Sequence, residues 1–559
     1  MPKKKQFLQT TSKQAARGKK KEPEPETEDD FLDAADEFEK SAGKWRAGDA
    51  AKSARFFQRA IDAYAAGLQR FPQSFDLAYN KALLEYQITQ DLRIAAQLGH
   101  PIVDLLRQAL DSHRFAMTLN DSNLDIQFNT ANVLSDLADR VIHSKEEAIP
   151  LLQEAVGLIR RCLERQVQEY DSLQAAFLAA NSGDASADDA TPSLAAQNDS
   201  SSGSSSEEYA TVEEAITEST ILDSVFLLAH VLADLLGIYP PERVEAISKE
   251  VETTVGLFTS GALQPYFDKL DSTVPQPEAL SLSLSLSLSA APPKPSHPQP
   301  SEQASAVAEG ALAAARLFSA VAEVEFRRGE RSAASWYAAV LSKFAATDPS
   351  LDPNTHGALV DALTAVAAAT APAAPAAGEA AYLAQAPTVT GDDDDDAAAV
   401  PPSAVAPAEV GDAWAPDAVH ADVLRRAYHV LAAALAAGDV PSDKAPQLYV
   451  ALGDVHWRLR GACVGAAPPD VAGAVAQARR AERCWREAVG RARAVGVACA
   501  EEEVEAEGKG RVSALLRGAA GGGVVVGEAR ESVLHAVEEM REDELLHDVL
   551  AERVLSMLG

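Results

Sequence analysis

KWRAGDAAKSARFFQRAIDAYAAGLQRFPQ, residues 44–73, is the stretch on which the fold turns. Ala60, Tyr64 and Gly67 stand four and three residues apart, and Pro72 follows five residues later. Positions four and seven apart share one face of an α-helix, so two small residues and one large one line a single stripe. Small side chains let a helix approach a partner closely, and the large one fills the gap beside it. The stretch therefore predicts a helix that stops before Pro72 and packs against the preceding helix across a turn at Ala47, Gly48 and Asp49. A hairpin of this kind leaves an apolar face uncovered, so several must stack.

The same spacing recurs as Ala109/His113/Ala116, Ala148/Leu152/Ala155 and Ala481/Trp485/Ala488. Between them, apolar residues repeat every three or four positions over 30–45, 50–71, 74–88, 103–119, 124–142 and 146–168, with short polar breaks. Successive amphipathic helices with short connections pack as antiparallel neighbours. Hydrophobic residues make up 47% of the 559 residues and aromatic ones only 6%, an Ala- and Leu-rich mixture that favours helix over sheet. The expected fold is all-α: antiparallel helical hairpins stacked as a superhelix and interrupted by insertions.

These residues resemble the tetratricopeptide repeat family. Trp45, Gly48, Ala60, Tyr64, Gly67 and Pro72 look like one nearly complete repeat. LYVALGDVHW (448–457) is similar to the family's first helix through Tyr449, Leu452 and Gly453, with Ala481, Trp485 and Ala488 on the second and an inserted loop around 461–470. The steps from Ala60 to Ala109 and from Ala109 to Ala148 are 49 and 39 residues, against a family period of about 34. FRRGERSAASWYAAVL (326–341) is a further, degenerate candidate. The resemblance implies that all these residues serve repeat packing, and that a concave groove holds a protein partner.

Composition sets the expected domains. Residues 1–30 pass from basic to acidic and read as a disordered tail; 182–208, 271–303 with its LSLSLSLSLS run, and 371–411 with GDDDDD read as low-complexity linkers. Helical blocks are expected over 31–181, 209–270, 304–370 and 412–559.

A net charge of −33 argues against a nucleic-acid-binding body, which needs clustered Lys and Arg. It suits a basic protein partner, or simple solubility. Four scattered cysteines indicate neither a zinc site nor a disulfide framework. The amino terminus lacks the apolar core of a signal peptide, and the best apolar run, 224–239, is short for a membrane span and carries His230 and Asp234. Lys3, Lys4, Lys5 and then Arg17, Lys19, Lys20 and Lys21 form two basic clusters, either a bipartite nuclear import signal or a solvated tail folded back on the acidic body. Cytoplasm and nucleus are the expected compartments.

Function then has two readings. One is a non-enzymatic adaptor or escort for a basic client such as a ribosomal protein, held by Coulombic attraction and groove packing. The other is a co-chaperone, because one branch of the tetratricopeptide family clamps the C-terminal carboxylate of Hsp70 or Hsp90 with Asn, Lys and Arg. That clamp begins Gly-Asn-x-x-Phe, where this chain has Ser41, Ala42 and Trp45, and the helix around 125–140 has no central Lys or Arg. Asn80 and Asn129 are the candidate groove residues, with a cap or an inter-hairpin hydrogen bond as the alternative role. Glu544 and His547 have the i, i+3 spacing of one half of a di-iron site, but no second pair accompanies them. GGGVVVGE (521–528) lacks the Lys and Ser/Thr of a phosphate loop. No catalytic group, cofactor, metal, nucleic acid or membrane contact is expected.

Overall fold

The structure is a computed structural model that describes residues 25–182, 216–270, 301–371, 376–385 and 414–558, apart from 353, 438–439, 466–468, 497–498, 517–527 and 544. Lys3, Lys4, Lys5, Arg17, Lys19, Lys20, Lys21, Glu544 and the LSLSLSLSLS run lie outside the described residues. Among the described residues there are twenty α-helices and no strand, so the fold is all-α.

The first part holds α1 (Glu28–Arg46), α2 (Ala50–Arg70), α3 (Phe75–Thr89), the single turn α4 (Leu92–Ala95), α5 (Ile102–Leu119), α6 (Leu124–Arg140) and α7 (Lys145–Ser182). Next come α8 (Glu218–Ile238), α9 (Ser248–Thr259), α10 (Gln264–Leu270), α11 (Glu302–Arg327), α12 (Ala333–Phe344), α13 (Asn354–Ala369) and α14 (Ala376–Gln385). The last part is α15 (Pro416–Ala437), α16 (Ala445–Gly465), α17 (Val471–Val495), α18 (Ala500–Leu516), α19 (Glu528–Glu542) and α20 (Asp548–Leu558).

Polar residues fix where these helices start. Thr27, Asp49, Ser74, Asn123, Ser301, Ser332 and Asp470 each accept a hydrogen bond from a first-turn amide of α1, α2, α3, α6, α11, α12 and α17 respectively. Such caps satisfy amides that the helix itself leaves unpaired.

Packing follows the small-large-small stripe. Ala60, Ala109, Ala116, Ala148, Ala155, Ala481, Trp485 and Ala488 are fully enclosed, and Tyr64 and Leu452 are buried. A Cβ on Gly67 would lie 2.9 Å from Leu77 Cδ1 and 3.0 Å from Phe31 Cβ, and one on Gly453 would collide with the Trp485 indole. Pro72 sits exposed in the turn just beyond α2.

Three expectations need correction. Trp45 and Gly48 do not pack: Trp45 is 40% exposed with the Lys52 ammonium 3.0 Å from its ring centre, and nothing lies within 4 Å of where a Gly48 Cβ would be. Trp45 stands in the last turn of α1 with its ring toward solvent, and Gly48 lies in the short turn that follows, which carries no interface. The loop expected at 461–470 starts later, because α16 runs on to Gly465. The Ala/Pro/Asp-rich linker at 371–411 contains α14, which packs on α16 and α17. Its Glu379 makes a two-pronged ion pair with Arg460 at 2.9 and 3.0 Å, both side chains 1% exposed, and the guanidinium lies over Tyr382 and Trp457.

The stack is continuous. One core joins α5, α6, α7, α8, α9 and α11; α11 also supplies Leu312, Ala315 and Ala322 to a second core with α12, α13, α15 and α16. α16 shares its faces in turn between that core and a third with α17, α18, α19 and α20. By length and apolar content α8 and α11 could cross a membrane, but 67% of the most apolar window of α8 is buried within the protein. In the third core Lys509, 1% exposed, sits among Asp454 at 2.9 Å, Glu505 at 2.6 Å, Asp543 at 3.7 Å and Glu539 at 4.0 Å, tying α18 to α16 and α19.

Ala60→Leu should overpack the first hairpin and destabilise the protein by about 1–3 kcal/mol, whereas Gly48→Ala should stay within about 0.5 kcal/mol; urea unfolding measures both. Glu379→Ala should cost about 3–5 kcal/mol by stranding a buried guanidinium, and the pair Glu379→Leu with Arg460→Met should recover most of that loss.

Candidate protein-binding groove

α1, α3, α6 and α8 touch in sequence, α8 lies against α11, and α11, α13, α16 and α18 continue the row. Their partners α2, α5 and α7 form a second row whose backbones lie farther apart, with Arg107 and Arg114 of α5 reaching across to Glu147 and Glu154 of α7. Clefts of about 470 and 490 Å³ open in it, one against α2, α3 and α5 and the other between α5 and α7. A stack whose first row is close and whose second row is open curves toward the first, which becomes its concave wall.

Helices of the concave row run in the same direction. A Cβ on Gly310 of α11 would meet the Phe226 ring of α8 at 2.9 Å, Arg316 bonds His230 and Asp234, and Arg327 donates to the Leu236 carbonyl. Residue numbers rise together on the two helices. The amino-terminal ends of the row therefore share one edge, where Glu28 and Asp29 of α1 act on Asp76 of α3, Glu302 acts on Asp223, and Asp223 and Asp352 act on Glu309.

Midway along the row the wall is again acidic. Tyr86 Oη of α3 and Nε2 of Gln90, the residue just after that helix, each donate to Asp136 of α6 at 2.8 Å. Asp139, one turn further on, acts on Asp136, on Asp234 of α8 and on Asp361 of α13. Arg316 of α11 is set among them: it donates to Asp234 at 2.8 Å, meets His230 Nδ1 at 3.2 Å and acts on Asp361, while Arg140 acts on Asp136. Four carboxylates thus face two guanidinium groups.

Solvent reaches Asp223, Glu309 and Asp361, yet protein hems them in on most sides. This partial desolvation, followed by their acidic neighbours, pushes Asp223 and Asp361 up to about 6 and Glu309 to about 7. For Asp361, Arg316 opposes the rise. Burial raises Asp136 and Asp234 as well and lowers His230 to about 3, so that His230 is neutral beside Arg316.

The candidate asparagines stand on concave-row helices. Asn129 donates to Tyr79 Oη at 3.0 Å and ties α6 to α3; Asn80 donates to the Asp76 carbonyl of its own helix at 2.8 Å. His113 is enclosed with Nδ1 2.8 Å from the Ala109 carbonyl. Tyr449 lies under the Arg491 guanidinium at 4.8 Å. The His547 carbonyl accepts from Leu550 and Ala551 at the start of α20. Burial pushes the thiols of Cys162 and Cys484 up to about 12. Sequence reasoning missed Asp136, Asp139, Asp234, Arg316 and Asp361, because only the alignment of parallel helices brings residues so far apart onto one wall.

No protein-family model matches the chain. Over 145 residues it is 28% identical to UPF0656 protein C926.02 of Schizosaccharomyces pombe, a stretch that is 26% of this chain and 32% of that protein. The chain thus spans about a third of the curated relative it matches. Among solved structures it is similar to a circular tandem repeat protein with novel repeat topology and enhanced subunit contact surfaces, at 12% identity and a TM-score of 0.21, over 95% of this chain and 88% of that one. At that score the likeness carries no argument.

Because the folded chain holds protons on these carboxyls to a higher pH than the unfolded chain does, each removes stability as the pH climbs from its ordinary value to its raised one. For Glu309 that window runs from 4.5 to about 7. Glu309→Gln should therefore gain stability relative to the parent across the window and hold a constant difference above it, as measured by thermal melts at stepped pH. The buried histidines contribute the opposite slope below pH 6.5 and cancel in the comparison.

Proposed function

We propose that this chain is a non-enzymatic protein-binding scaffold of the tetratricopeptide kind, and that its concave wall holds a basic segment of a partner protein. The observation that carries this reading is the row of Asp136 and Asp139 on α6, Asp234 on α8 and Asp361 on α13, with Arg316 of α11 already lodged among them. Carboxylates kept close and partly desolvated repel one another, and an incoming ammonium or guanidinium relieves that repulsion. A lysine or arginine side chain also brings an apolar stem that packs on the wall. A basic client such as a ribosomal protein, escorted through cytoplasm and nucleus, fits this chemistry. A C-terminal carboxylate fits it poorly, since it would meet like charge.

Attraction of this type weakens as salt shortens the screening length from about 10 Å at 0.1 M to about 3 Å at 1 M. Labelled decalysine should bind the full chain at low salt and release at 1 M. Asp234→Asn with Asp361→Asn should weaken it about ten-fold, the scale of about 1.4 kcal/mol, while Asp104→Asn, on the α5 face of the outer cleft, should change nothing. Binding that ignored both salt and the paired substitution would remove the reading.

A further inference from the structure

We propose that residues 1–24 of this same chain seat in the acidic groove and compete there with a basic partner. The proposal rests on the reading of the concave wall as a surface for cations, and four observations place the occupant. The described chain begins at the amino-terminal edge of the wall: Ser74 at the start of α3 donates to Glu28 of α1, while Arg70 at the end of α2 holds the Pro25 carbonyl at 2.8 Å. This is the acidic edge that Glu28, Asp29 and Asp76 share.

The charges match. Lys3, Lys4, Lys5, Lys13, Arg17, Lys19, Lys20 and Lys21 carry the segment's positive charge, and Glu22, Glu24 and Glu26 follow at the join. Those glutamates meet like charge on the wall, which favours seating by the lysines and leaves the join at the rim.

The reach is sufficient. At about 3.3 Å per residue an extended chain of 24 residues spans about 80 Å, while neighbouring helices pack about 8–10 Å apart, so α11 lies about 40 Å from α1. Lys19, Lys20 and Lys21 fall beside α1 and α3. The eleven residues from Gln6 to Ala16 then carry Lys3, Lys4 and Lys5 on toward α8, α11 and α13.

The wall already accepts a cation of this type, since Arg316 sits against Asp234 with His230 held neutral beside it. A guanidinium from the same chain pairs with Asp234 and acts on Asp361 from further off, and the four carboxylates still outnumber Arg316 and Arg140. A partner that displaces the segment frees both basic clusters at once, which couples filling of the groove to their availability for an import receptor.

Zero-length carbodiimide cross-linking of the full chain, read by mass spectrometry on the monomer band, tests the seating. The expected products join Lys3, Lys4 or Lys5 to Asp234, Glu309 or Asp361, and Lys19, Lys20 or Lys21 to Glu28, Asp29 or Asp76. A full-length variant with all eight basic residues changed to Gln should in addition bind labelled decalysine about ten-fold more tightly at low salt. Tail cross-links found only between two molecules, or only on the outer helices, would overturn the proposal, as would equal decalysine affinity of the two chains. Decalysine that bound neither chain would instead overturn the basic-partner reading, and groove cross-links would then still decide where the segment sits.

Discussion

Close approach between paired helices is the constraint on which the rest of this structure depends. It is set by side chains that are missing: Ala60, Ala109, Ala148 and Ala481 are fully enclosed, and Gly67 and Gly453 sit where any Cβ would strike a neighbour. Interiors packed this densely tolerate little added volume. With the hairpin gap fixed, the large residue of each stripe, Tyr64, His113, Leu152 or Trp485, has one place to go. Each hairpin then presents the next with an apolar face of defined shape, and the cores hand over from helix to helix without a break.

The concave wall is a consequence of that stacking. Helices of one row run parallel and close, so polar residues at matching heights meet across rather than along the chain: Tyr79 with Asn129, Tyr86 with Asp136, and Asp234 with Arg316. Structural economy would neutralise such a wall. Here carboxylates act on one another across neighbouring helices, and partial desolvation pushes Asp223, Glu309 and Asp361 above the usual carboxylate range. Perturbed groups of one sign gathered on one wall are the feature on which the proposed function rests. The Glu379–Arg460 pair and the Lys509 cage show the contrasting case, buried charges with their partners in place.

Much of the fold was legible because its signals are local. Periodicity placed α1, α2, α3, α5 and α6 to within two residues at each end and α7 at its start, while missing the single turn α4 and the last fourteen residues of α7; the small-large-small stripe marked the buried positions. What misled was context. Trp45 and Gly48 match a repeat by letter, while one faces solvent from the last turn of α1 and the other sits in the open turn after it, and α14 is hidden in Ala-rich sequence whose helix is fixed by a contact 81 residues away. The acidic wall was invisible for a related reason: Asp139, Asp234, Arg316 and Asp361 come from four helices and share no sequence pattern. Only the overall sign of the charge hinted at it.

Hydrogen exchange of the full chain with and without decalysine tests the central claim most directly. Amides of α3, α6, α8, α11 and α13 should slow when the peptide is added at low salt, and those of α2, α5 and α7 should keep their rates. Protection confined to the outer row, or no change on the concave row while the peptide is bound, would contradict the account.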